Sequence, residues 1–139
     1  MKPIILIDID GTIALRGDRS PHYHDSAMED AVNWPIVHMC DALYASKVYN
    51  FILISGRDEK YRNVTEYWLY RHDIFTYRKR LIMRPRGDNR PDEVVKRELY
   101  EGDAALRRTV WLVLDDRNKV VKMWRGVGLT CLQVAEGDF

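Results

Sequence analysis

The chain has 139 residues, 46% of them hydrophobic, with Lys+Arg 22 set against Asp+Glu 21. That length suits a single domain, 1–139, with a layered core. The balanced charge excludes bulk attraction to nucleic acid or membrane, so any polyanion must be met by a local patch.

The first element is the apolar run Ile4-Ile5-Leu6-Ile7, which leads into Asp8-Ile9-Asp10-Gly11-Thr12. A run this apolar predicts a strand buried on both faces, as in a parallel sheet. Ligands of such sheets sit just beyond the carboxyl ends of the strands. Asp8 and Asp10 fall at that point, and two carboxylates so close need a cation or a shared proton between them. Gly11 to Asn33 is polar and broken by Gly17, Asp18 and Pro21, so it predicts an irregular flap rather than a capping domain. A helix follows with Asn33 as cap and Pro35 in its first turn. Its apolar stripe is Ile36, Val37, Cys40, Leu43 and Tyr44.

Val48 to Ile54 predicts a second buried strand, ended by Ser55-Gly56-Arg57. Tyr61 to Tyr70 predicts an amphipathic helix with Val64, Tyr67, Trp68 and Arg71 on one face. Leu81-Ile82-Met83 is a short strand before a loop rich in arginine (Arg84, Arg86, Arg90). Pro91 opens a third helix that runs through Tyr100 and carries Asp92 and Lys96. Val110 to Leu114 is a strand ending in Asp115-Asp116, a last helix covers Asn118 to Trp124, and Leu129 to Val134 is the final strand. The alternation predicts an α/β protein: a three-layer, doubly wound, mostly parallel sheet of Rossmann-like type. Cys40 and Cys131 match no metal-ligand spacing and read as buried free thiols of a reducing compartment. The N-terminal apolar run is too short and too acidic for a signal peptide, and no stretch reaches membrane-spanning length. The expected setting is therefore cytoplasmic, with no membrane partner.

In a parallel sheet the strand ends converge, which gathers Asp8 and Asp10, Ser55 to Arg57, Asp92 and Lys96, and Asp115 and Asp116. Each has a plainer alternative. Ser55-Gly56-Arg57 could be only a turn. Asp92 and Lys96 have the spacing of a surface ion pair worth a few tenths of a kcal/mol. Asp115-Asp116 could simply favour the N-terminus of the last helix. Their joint occurrence, each at a strand end or helix opening, outweighs the separate alternatives. Hard oxygen donors of this kind select Mg²⁺, which takes one or two carboxylates plus water and a substrate phosphate.

The pattern Asp8-Ile-Asp10-Gly-Thr12, Ser55, Lys96 and Asp115-Asp116 resembles the haloacid dehalogenase superfamily of phosphotransferases. Arg90-Pro-Asp92-Glu-Val-Val-Lys96, Leu114-Asp-Asp-Arg117 and the closing Gln133 to Phe139 look like the 3′-phosphatase domain of phage polynucleotide kinase/phosphatase. The likeness is weakest over Arg57 to Arg80. No Gly-x-x-x-x-Gly-Lys-Ser/Thr kinase loop occurs in this sequence, which leaves a free-standing phosphatase or part of a longer chain with a kinase domain. The resemblance implies Mg²⁺-dependent removal of a 3′-terminal phosphate from DNA or RNA strand ends through an aspartyl-phosphate. It makes Asp8 the nucleophile and Asp10 the general acid and base, with Asp10 favoured in its protonated form by crowding against Asp8. Lys96 becomes the charge that stabilises phosphate and nucleophile, with Asp92 holding it. Asp8, the Asp10 carbonyl, Asp115 and Asp116 would bind Mg²⁺. Thr12, Ser55 and the Gly56 turn would meet phosphoryl oxygens, and Arg19 and Arg57 match substrate-contacting arginines by position. Arg84, Arg86 and Arg90 could meet strand phosphates, and His22, Tyr23 and His24 could stack on a terminal base. The alternative reading is a small-molecule (nucleotide) phosphatase of the same superfamily.

Overall fold

The computed structural model describes residues 1–20, 24–74 and 80–139. A five-stranded sheet runs in the order β5-β4-β1-β6-β7, every neighbour parallel. Its strands are β1 (Ile4–Ile7), β4 (Asn50–Asp58), β5 (Leu81–Arg84), β6 (Val110–Asp115) and β7 (Thr130–Gln133). Helices α1 (Trp34–Ala45), α2 (Arg62–Arg71), α3 (Asp92–Glu101), α4 (Ala104–Thr109) and α5 (Asn118–Gly126) make the crossovers. The expected α/β class and parallel sheet are present.

β1 is central because it is apolar throughout. Ile5 and Ile7 pack into one hydrophobic layer with Val37, Cys40, Trp68 and Leu69. Leu6 faces the other, with Tyr100, Leu106, Val120 and Trp124. Burying each such side chain contributes roughly 1.5–3 kcal/mol, which favours the middle of the sheet over an edge. The free thiols of Cys40 and Cys131 are both buried.

Three local expectations change. The segment after Gly11 is not wholly irregular: β2 (Ala14–Leu15) and β3 (Ala31–Val32) pair antiparallel, with a 3₁₀ turn at Ala27–Glu29 before β3. In α2 the buried residues are Thr65, Trp68 and Leu69, while Tyr67 is 50% exposed. The predicted face was rotated because Thr65, though polar, is the residue that hydrogen-bonds Arg57 beneath the sheet end. Helix α4 was not predicted. Asp103 starts it by accepting hydrogen bonds from the amides of Ala105 and Leu106, an N-cap signal visible in the sequence.

β4 also runs four residues beyond its predicted end. Its register with β5 shifts between Ser55 and Asp58, so Gly56 and Arg57 form a bulge inside the strand rather than a turn after it. Bulges re-aim side chains, and this one turns Arg57 toward the sheet end.

Candidate active site

Beyond the carboxyl ends of β1, β4 and β6 lies a cleft of about 390 Å³ lined by Asp8, Asp10, Gly56, Arg57, Asp92, Asp115 and Asp116, among others. Asp8 follows β1 directly, and its amide donates to the Leu114 carbonyl of β6, which fixes the backbone there (2.9 Å). Gly11 turns the chain with φ +81°, a conformation costly for any residue with a Cβ. A Cβ at this position would also lie 2.0 Å from Asp116 Oδ2. The glycine therefore lets the first acidic motif close against the last.

Lys96 reaches the cleft floor from α3 and is fully buried. Its Nζ donates to Asp8 Oδ1 at 2.7 Å and Asp115 Oδ2 at 2.9 Å, and lies 3.8 Å from Asp92 Oδ2. The i,i+4 pair of Asp92 and Lys96 is thus no surface ion pair. Burial opposes the ammonium charge, but Asp115, Asp8 and Asp92 override it and raise the pKa well above its ordinary value. Asp115 is further held by the amides of Asp116 and Arg117 and by the indole N–H of Trp124.

Asp8, Asp115 and Asp116 can bring one carboxylate oxygen each to within 4.8 Å of one another. Burial and the neighbouring Asp115 push Asp8 well above the usual carboxylate range, against the pull of Lys96. The same two causes push Asp116 up to about 6. Oxygen donors that resist ionising together are the donor set a hard divalent cation relieves. The residues present fit Mg²⁺.

Asp10 departs from expectation. Its carboxylate takes a two-pronged contact from Arg57 (Nε to Oδ2 2.9 Å, Nη2 to Oδ1 2.7 Å) and a further one from Arg19 (3.1 Å). Burial alone would raise its pKa, but Arg57, with His24 and Arg19, holds it at about 2. The expected protonated Asp10 is therefore ionised at neutral pH, because two guanidinium groups outweigh any crowding by Asp8.

Arg19 and Arg57 are correspondingly occupied. Arg57 also donates to Thr65 and Asp30, and Arg19 donates to both oxygens of Asp30 and contacts His24 Nδ1. Both arginines thereby belong to a buried charge network centred on Asp10 and Asp30. Asp30 was missed in the sequence, where a lone aspartate in a polar segment carries no signal. Thr12 and Ser55 are both fully buried. The Thr12 hydroxyl donates to Asp8 Oδ2 (3.3 Å), and the Ser55 hydroxyl accepts the Arg57 amide (3.1 Å). Both brace the sheet end.

The arginine loop is not a free basic patch either. Arg84 donates to the carbonyls of Gly56, Asp88 and Arg90 and to Asp92 Oδ1 (3.0 Å). Arg90 pairs with Asp88 and Glu98. Arg86 has no hydrogen bond or ion pair among the described residues, and its charge acts on Asp58 and Glu59. His24 is buried, lines the cleft and makes a T-shaped contact with Tyr61. His22 and Tyr23 lie outside the described residues.

A parallel α/β sheet whose central strand delivers an Asp-x-Asp pair to a buried lysine and a second acidic pair defines a phosphatase domain of the haloacid dehalogenase type. The chain belongs to the family described as the polynucleotide kinase PNKP phosphatase domain, whose family model matches residues 2–139. It is 30% identical over 123 residues to a putative bifunctional polynucleotide kinase/RNA ligase of Autographa californica nuclear polyhedrosis virus, covering 87% of this chain and 17% of that protein. A structure of a Pnkp1/Rnl/Hen1 complex contains a chain similar at TM-score 0.89 and 37% identity, over 99% of this chain and 48% of that one. The haloacid dehalogenase domain of the Legionella pneumophila effector Lem4 shares the fold at TM-score 0.57 and 16% identity, over 98% and 86% of the two chains. The chain thus spans less than half the length of its first two relatives.

Proposed function

We propose that this domain removes the 3′-terminal phosphate from polynucleotide ends, with Mg²⁺, through a phosphoryl group carried on Asp8. The observation that supports it most is Asp8 itself: at the end of the central strand, flanked by Lys96 and facing Asp116 across Gly11. An Asp8 oxygen attacks phosphorus in line, and the bond from phosphorus to the sugar oxygen breaks. That oxygen is too basic to leave unprotonated and takes a proton from Asp10. Water then attacks the phosphoryl group, Asp10 accepts its proton, the bond to Asp8 breaks and inorganic phosphate departs.

Asp10 rests as the carboxylate, which suits the second half-reaction directly. A phosphate dianion arriving beside it raises its proton affinity, so substrate binding and protonation of Asp10 are coupled. Lys96 neutralises charge on Asp8 and the phosphate at once, while Arg57 and Arg19 fix the direction of the Asp10 carboxylate. Asp8, Asp115, Asp116 and the Asp10 carbonyl would hold Mg²⁺, which when bound offsets the like charges of nucleophile and phosphate. One relative is named a putative bifunctional polynucleotide kinase/RNA ligase and another structure is of a Pnkp1/Rnl/Hen1 RNA repair complex, and we infer that this domain likewise acts in nucleic-acid end repair, alongside a kinase in a longer parent chain.

The test is phosphate release from matched DNA and RNA strands bearing 3′- or 5′-phosphates and from 3′- and 5′-mononucleotides, with and without Mg²⁺. Release from 3′-phosphorylated strands only with Mg²⁺ is expected. Preference for the 5′-mononucleotide would instead make the domain a nucleotidase.

A further inference from the structure

Resting on that reading, we propose that Tyr61 is the surface on which the nucleobase next to the scissile phosphate stacks. Tyr61 lines the same cleft as Asp8 and Asp10. It closes the 3₁₀ turn Glu59–Tyr61, four positions after Arg57, the residue that grips Asp10. Its ring is thereby tied to the catalytic floor through a short, hydrogen-bonded stretch, with Asp58 accepting the amides of Lys60 and Gly87 at 2.8 Å each.

Tyr61 packs against the hydrophobic layer that holds Ile5 and Ile7, and three further features leave its ring able to receive a base. Tyr61 is only partly buried, and its hydroxyl has no hydrogen-bond partner among the described residues. Its orientation is set by His24, which makes a T-shaped contact with it, with centroids 5.2 Å apart and planes at 70°. His24 is in turn fixed by Arg19, so the prop is anchored in the buried network. The exposed Lys60 lies with its ammonium over the ring, 5.0 Å from its centroid. That contact is loose and solvated, on a flexible four-carbon stem. An incoming base can replace Lys60 on the ring, leaving the ammonium for the adjoining phosphodiester.

Phe139, which also lines the cleft, is already engaged by guanidinium groups. Arg16 and Arg117 lie 4.7 and 5.0 Å from its centroid, and its carbonyl accepts from Arg117. Tyr61 therefore offers the better platform. Stacking on an aromatic side chain is sequence-tolerant, which fits an enzyme acting on strand ends of any sequence.

The test compares kcat/KM for a 3′-phosphorylated oligonucleotide with that for the same strand ending in an abasic 3′-phosphate, in wild type, Tyr61→Phe and Tyr61→Ala. Wild type is expected to favour the base-bearing end by about 5- to 150-fold, the range given by ~1–3 kcal/mol of stacking. Tyr61→Phe should keep that ratio and Tyr61→Ala should bring it close to one. If Tyr61→Ala slows both ends equally, or wild type shows no preference while turning both over, the inference fails and the strand-end reading stands. If wild type releases phosphate from neither strand yet hydrolyses a small phosphate monoester, the reading fails and the inference falls with it.

Discussion

Arg57 lines the cleft with its guanidinium shared among Asp10, Asp30 and Thr65, and its side chain is shielded from solvent. Removing one partner of a buried pair leaves charge without compensation and typically costs 3–5 kcal/mol. Asp10 keeps some exposure and Arg19 remains, so Arg57→Ala should cost about 3 kcal/mol, read by denaturant unfolding. It should slow release from strand ends and from a small aryl phosphate equally, because Arg57 acts through Asp10. A loss confined to strand ends would return Arg57 to substrate binding. Asp8→Asn keeps the shape of the nucleophile but not its charge, so phosphate release should vanish with the melting temperature largely kept. Appreciable turnover would mean another nucleophile.

His24 offers a check on the buried network through pH. Burial, with Arg57 and Arg19, lowers its pKa from 6.5 to about 4, against the pull of Asp10 and Asp30. The unfolded chain protonates this imidazole as pH falls below 6.5, whereas the folded one resists until about 4. Its contribution to stability therefore declines on acidification across that window. Asp116, raised to about 6, acts in the opposite sense over part of the same range, so the informative quantity is a difference. Melting of His24→Gln should fall less between pH 7 and pH 5 than melting of wild type. Parallel profiles would show that the imidazole does not titrate as its surroundings require.

At the scale of elements, the two glycines at the cleft matter through what they let approach. A Cβ on Gly56 would lie 1.8 Å from Asp92 Oδ1, inside the group that Arg84 ties to the β4 bulge. Gly56→Ala should push Asp92 off that clamp, loosen Lys96 through it, and reduce phosphate release at least tenfold. Unchanged kinetics would show that Asp92 has room to yield. This juxtaposition explains what could and could not be read from residue order. The strands, the α3 pair and both acidic motifs were legible because apolar runs and sheet topology place them together whatever the details. The bulge at Gly56 and Arg57 was not, since nothing in Ser-Gly-Arg distinguishes a turn from two extra residues within a strand. The partners of the arginines were hidden for a related reason. Charge is visible in a sequence, but the carboxylates and carbonyls that occupy it, such as Asp30 for Arg19 and Arg57, come from distant segments. Tyr61 carried no signal at all, being one apolar-faced residue at the start of a helix.

For the molecule as a whole, three buried carboxylates and one lysine at the cleft leave a surplus of negative charge that a divalent ion would relieve. Adding Mg²⁺ at about a hundred times its dissociation constant should stabilise the fold by ~2.7 kcal/mol, seen as several degrees in melting temperature. Asp116→Ala should lose most of that shift. Absence of any Mg²⁺-dependent shift in wild type would argue that the cluster does not hold the ion.

The central position of β1 has a consequence for how the chain matures. Ile7 pairs with Leu53 on one side and with Leu114 on the other. During synthesis β1 thus leaves the ribosome well before β6, its second partner, exists. Parallel pairing over such a separation is slow and exposes sticky backbone meanwhile. Refolding from denaturant should show hydrolytic competence arriving in the last kinetic phase, after helical signal has recovered, and chaperone assistance should help most in that interval.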